Sequence, residues 1–195
     1  MTSPDQVQLD APGAGLPAME HFIGGFLFRL ALKKHKPEHF TREFQKERGR
    51  ISALLNDSSQ ACWREPVLIK RPRGLEDSSR RWSVAMTLEH LRICNTIFAS
   101  LMEGLSKGEL PDRPARTEDV KPSPEAGPEV RATYEESCEN WLQSLEHIDD
   151  LNTETRFAHP WFGPLNAAGW QALGALHMKV HRIQIERILA GLAPH

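Results

Sequence analysis

Cysteine is scarce in this sequence: Cys62, Cys94 and Cys138 lie scattered through 195 residues, and no two form a C-x-x-C pair. A disulfide framework is therefore not expected, and reduced thiols in an intracellular, cytoplasmic setting are. Excess charge is missing as well. The formal charge of −2 argues against a nucleic-acid partner, which would normally show a strongly basic balance. No long apolar run is present either. The stretch "FIGGFLFRLAL" (22–32) contains Arg29 and is too short to cross a bilayer, and its basic flank "KKHK" follows it, where a secretory signal would carry it in front. A short buried or surface-docked helix is expected there, with attachment to a membrane interface as the alternative, and no membrane span. Strand-like alternation and internal repeats are also lacking. What remains is 39% hydrophobic and 26% charged residues, the composition of a globular domain able to bury a single core.

Residues 1–17 hold three prolines and two glycines without an apolar period and read as a loose N-terminal arm, leaving 18–195 as one domain. A first helix is predicted over 18–34, ending before Pro37. A second is predicted over 38–56, where Phe40, Phe44, Ile51 and Leu55 recur at helical spacing. Residues 57–81 read as an irregular connection, in which "VLI" has strand character but no evident partner. Ser83 is an N-cap candidate for a helix over 83–106, and Tyr134, Cys138, Trp141, Leu145 and Ile148 step by 4, 3, 4 and 3 through a helix over 130–149. Between them, "KGELPDRPARTEDVKPSPEAGPE" (107–129) is too polar for core and reads as a crossover loop. A second irregular stretch, 150–165, precedes a last helix capped by Asn166 and running to about 190. The expected class is all-α, a four-helix bundle with long crossover loops and an extra N-terminal helical segment.

His177 and His181 stand four apart on the last helix, hence on one face. The spacing alone is weak, because nine histidines in a chain of this length give roughly 0.4 such pairs by chance. The glutamate of a metalloprotease H-E-x-x-H is absent. The surroundings say more: Trp170, Leu173, Gly174, Gln184 and Ile188 share the stripe, so both imidazoles sit in a largely apolar row. An open metal site needs a third ligand. Cys62, Cys138, His147 and His159 are candidates, but His90 lies in line with Met86, Cys94, Ile97 and Leu101 on the inward stripe of its helix. Three imidazoles would satisfy a divalent ion and leave positions for water or substrate.

Two segments carry a resemblance. "RRWSVAMTLEHL" (80–91) is similar to the W-S-x-x-x-x-x-x-H-L signature of the DinB/YfiT-like family of metalloenzymes. "HPWFGPLNAAGWQALGALHMKVHRIQIERI" (159–188) resembles that family's fourth-helix segment, with its H-P-x-F-G lead-in and H-x-x-x-H. The likeness implies a DinB-like four-helix bundle and a metal held by His90, His177 and His181, the trio that periodicity reaches independently. Met86 stands where many members carry an acidic residue, and Val180 where many carry another histidine; neither is a ligand position. Members with known activity include transferases and isomerases that use low-molecular-weight thiols. The resemblance therefore implies a divalent metal (zinc or nickel foremost), a small-molecule substrate, such a thiol as cosubstrate, and homodimer formation. The expected function is a thiol-dependent transferase or a hydrolase. The alternative is a non-catalytic interaction or stress-response protein whose metal site is structural or empty.

Glu47 interrupts an otherwise apolar face of the second helix. As a catalytic candidate, it would hydrogen-bond a ligand histidine or serve as general base toward metal-bound water. An ion pair with Arg48 or with an arginine of the 70–81 loop is the competing reading. That loop gathers Lys70, Arg71, Arg73, Arg80 and Arg81 and would suit the carboxylates of an anionic thiol, or else form a solvated loop balanced by Glu76 and Asp77. Cys94, one turn beyond His90, reads as a small buried hydrophobe, with a fourth ligand or a nucleophile as the alternatives. His159 reads as an entrance residue or a structural anchor, Trp82 and Trp170 as packing residues, and His21, His35, His39 and His195 as surface histidines.

Overall fold

Five α-helices form where the apolar spacing places them: α1 (Ala18–Lys34), α2 (Pro37–Asn56), α3 (Val84–Ser106), α4 (Val130–Glu146) and α5 (Ala167–Leu192). They belong to a computed structural model that describes residues 7–193; the first six residues of the arm and residues 194–195, with His195, lie outside the described residues. Pro37 sits in the first turn of α2, where its missing N–H costs nothing. Ser83 caps α3 by accepting from the Met86 amide at 3.1 Å, and Asn166 caps α5 by accepting from the Gly169 amide at 3.0 Å. Both caps fix helices that carry histidines. Asn166→Ala is expected to cost about 1 kcal/mol, read as a lower midpoint in urea unfolding.

α2, α3, α4 and α5 form the bundle, with α3 against α4 and α5, and α2 against α5. Its core is apolar and aromatic. Phe44 of α2 stacks on Trp141 of α4 with ring centroids 3.8 Å apart. Gly174 of α5 makes room for that stack, since a Cβ there would meet the Trp141 indole nitrogen at 3.0 Å. α1 lies outside, held by buried Phe28, whose ring is 4.6 Å from that of Phe162.

Two short ladders correct the sequence reading of both irregular stretches. β1 (Val67–Leu68) pairs antiparallel with β2 (Arg81–Trp82), so the "VLI" segment has a partner directly before α3. β3 (Phe157–His159) and β4 (Gly163–Leu165) form a hairpin that leads into α5. Strands of two or three residues are too short to show alternation, so neither was legible. Gly163 closes the hairpin at φ +71°, a conformation that favours glycine.

The arm is tied down over part of its length. Glu76 accepts from the amides of Gly13 (3.0 Å) and Gly15 (3.1 Å), and Asp77 accepts from the Asp10 amide at 3.1 Å. Glu20 of α1 forms a two-point ion pair with Arg71. The 70–81 loop is therefore clasped between the N-terminal segment and α5, whose Gln184 and Arg187 donate to the Ser79 and Lys70 carbonyls.

Candidate metal centre

The bundle brings His90 of α3 together with His177 and His181 of α5. Their ring centroids lie 4.4–4.9 Å apart, and one donor atom from each falls within 4.8 Å of the others. His90 and His181 are buried and His177 is half-buried. No other group of three or more histidine, cysteine or acidic residues with this convergence occurs among the described residues.

Two of the three rings have their tautomer set by acceptors that cannot donate. The Val120 carbonyl takes the Nδ1–H of His90 at 2.6 Å. The Gln184 side-chain oxygen takes the Nδ1–H of His181 at 2.6 Å, while the Gln184 amide nitrogen donates to the Ser79 carbonyl at 2.8 Å and so fixes the amide's orientation. Each Nε2 atom is left as a lone-pair acceptor. His90 Nε2 faces His177 Nε2 at 3.0 Å, and the Nδ1 of His177 is buried without a partner. A ring with one nitrogen orphaned and the other aimed at a second imidazole suits a cation shared among the three. Burial holds His90 down at about 4 and pushes His177 and His181 well below the usual imidazole range. Near neutral pH all three are uncharged, the state that ligates.

Aromatic rings wall the site. The Trp82 indole lies 8° from parallel to the His181 ring at 6.2 Å and approaches His90 at 5.1 Å, while Phe98 meets His177 edge-on at 5.6 Å. Lys121 sits over Trp82, 5.4 Å from the ring, and donates to Ser78 at 2.8 Å and to Glu76 at 3.4 Å. Trp82 is thus part of the roof as well as a packing residue.

The remaining candidates lie in other settings. His147 binds the Gln143 carbonyl of its own helix, Cys62 donates to the Ser59 carbonyl, and Cys138 is buried beside Asn95. Cys94 is buried with its sulfur 3.7 Å from the near ring nitrogen of His90, and burial raises its thiol pKa, so it stays protonated. His159 accepts from the Trp161 amide at 3.1 Å and packs on Phe162 and Trp170, an anchor for the hairpin. His21 is exposed, yet it donates to the Trp161 carbonyl. His35 and His39, also four apart, stack at 3.9 Å with no third donor among the described residues. That pair shows how little spacing says alone.

Glu47 is buried, and arginines take both its oxygens: Arg182 binds Oε2, and Arg50 binds Oε1 at 3.0 Å. Neither arginine is one the sequence suggested, because Arg182 comes from α5, far along the chain. In the basic loop, Arg71 is engaged by Glu20, and Arg80 by Asp77 and the Ile69 carbonyl. Sequence reasoning missed Val120, whose contribution is a backbone carbonyl and leaves no residue signature. Gln184 was visible on the histidine stripe, three residues past His181, though not as a hydrogen-bond partner.

A profile of the DinB superfamily matches residues 42–185, a span that includes all three histidines. Among solved structures, the crystal structure of TT2238, a four-helix bundle protein, is similar with a TM-score of 0.57 at 20% identity, covering 77% of this chain and 98% of that one. At that identity the likeness bears on the fold alone. No curated protein matches the chain significantly.

Proposed function

This chain belongs to the DinB superfamily, and from that premise we propose that it is a metal-dependent enzyme acting on a small molecule, by thiol transfer or by hydrolysis. The observation that carries the reading is the convergence of His90, His177 and His181, with two Nε2 atoms left as lone-pair acceptors by fixed hydrogen bonds. Those three side chains would hold a divalent ion, with zinc and nickel the foremost candidates for an all-imidazole donor set. Such an ion supplies a Lewis acid that acidifies a water or a thiol at neutral pH.

The chain's own residues do the rest. The Val120 carbonyl and Gln184 hold two rings in the ligating tautomer, and Trp82 and Phe98 pack against the imidazoles. The Lys121 ammonium, paired with Glu76 and Ser78, holds the Trp82 ring over the histidines. Glu47 acts by holding Arg182, the neighbour of His181 in sequence, instead of moving a proton. The three cysteines are unpaired thiols, in keeping with a cytoplasmic setting.

Gln184→Leu is expected to weaken metal affinity by about 10- to 100-fold with the bundle intact, since the His181 ring loses its orienting partner. Competition titration with a chelator of known affinity measures it. Unchanged affinity would remove Gln184 from the site. The functional test is a screen of metal-loaded protein for transfer of low-molecular-weight thiols and for hydrolysis, with His90→Ala as control. Stoichiometric metal without turnover in either assay would favour the interaction-protein reading.

A further inference from the structure

α1 turns its more apolar side away from the protein. Phe22 is 78% exposed, Met19 75% and Phe26 62%, and Ile23, Leu27 and Leu30 are about half exposed. The opposite side docks on the body through Phe28, Ala31 and Leu32. Met19, Ile23, Phe26 and Leu30 step by 4, 3 and 4, and the next steps of 3 and 4 land on Lys33 and Lys34. The apolar stripe therefore runs into a basic end. Soluble proteins seldom leave so continuous an apolar patch uncovered without a binding partner for it.

The charges indicate which partner. Arg29, Lys33, Lys34 and Lys36 are exposed, and none has an ion-pair partner among the described residues. The single acidic residue of α1, Glu20, is committed to Arg71 and the Gly74 amide. A second copy meeting this face would bring four more cations, and its α1 no free carboxylate to offset them. An anionic lipid surface supplies both missing complements: acyl chains for the phenylalanines and phosphates for the lysines. The helix lies on such a surface and does not cross it. Its 17 residues span about 25 Å, short of a bilayer's hydrocarbon core, and no helix among the described residues is long and apolar enough to cross.

We propose that α1 is an interfacial anchor that docks the protein on anionic membranes, with Met19, Phe22, Ile23, Phe26, Leu27 and Leu30 in the acyl boundary and Arg29, Lys33, Lys34 and Lys36 at the headgroups. The docked helix also packs on the hairpin that leads into α5: His21 donates to the Trp161 carbonyl, and Phe28 contacts Phe162. Membrane attachment would thus set the candidate metal centre close to the lipid surface.

Flotation of the full chain with phosphatidylcholine vesicles, with and without about a third phosphatidylglycerol, tests this. The expected result is binding to the anionic vesicles, weakened at least tenfold by high salt. Phe22→Ser with Phe26→Ser should lower binding at least tenfold, and Lys33→Glu with Lys34→Glu should erase the preference for anionic lipid. Both pairs are surface changes, so melting temperature and metal content stay at wild-type values and separate this outcome from misfolding or from failure of the metal reading. Absence of vesicle binding overturns the proposal. So does binding indifferent to both pairs, or a dimer in light scattering that Phe22→Ser with Phe26→Ser dissociates while vesicles remain unbound.

Discussion

Alanine at His181 is expected to remove the rise in melting temperature that zinc or nickel should give the wild-type chain. A metal that binds only the folded state, at a thousand times its dissociation constant, stabilises by about 4 kcal/mol. For a domain of this size that corresponds to roughly 8–16 °C. On the proposed reading three imidazoles from two helices would form the binding set, and two ligands from one helix would not reproduce it. His90→Ala and His177→Ala should therefore give the same loss, and the three variants should be alike with metal removed. Differential scanning fluorimetry with and without metal reads the effect. A wild-type-sized metal shift in any one variant would take that residue out of the site.

Glu47→Gln carries the second large effect, and it falls on stability. The carboxylate is buried and bridges α2 to α5 through Arg182, with Arg50 on its other oxygen. Removing one member of a buried ion pair leaves an uncompensated charge and typically costs about 3–5 kcal/mol. Arg182 keeps a second partner in Glu186 at 2.6 Å, which places the expectation toward the lower end of that range. Glu47→Leu combined with Arg182→Met should recover much of the loss, because the pair is then replaced by apolar volume. Equilibrium unfolding in urea measures both. If Glu47→Gln instead kept wild-type stability and lost turnover, the ion-pair account would fail and a general-base role would replace it.

The bundle and the centre of the site were legible because both are written in side-chain periodicity. The stripes on α3 and α5 each aim histidine inward, and those stripes are long enough to read. Ser83 and Asn166 marked the helix starts by the capping preferences of their side chains. What escaped was carried by other means. β1 and β2 are two residues each, held together by backbone pairing. The hydrogen bond from His90 ends on a carbonyl in the Pro-rich crossover, where any residue type would serve. The partner of Glu47 lies on α5, and a helical face read alone does not say which distant helix supplies the countercharge. The stretch that forms α1 was legible as apolar, but which face points outward depends on Phe28 rather than Phe22 being the residue that docks.

Elemental analysis of protein purified without a metal-affinity column tests the central claim most directly. Close to one zinc, nickel or related divalent ion per wild-type chain is expected, and essentially none in the variant with His90, His177 and His181 all replaced by alanine. A folded wild-type chain that holds no divalent metal, even after equilibration with zinc and nickel, would contradict it.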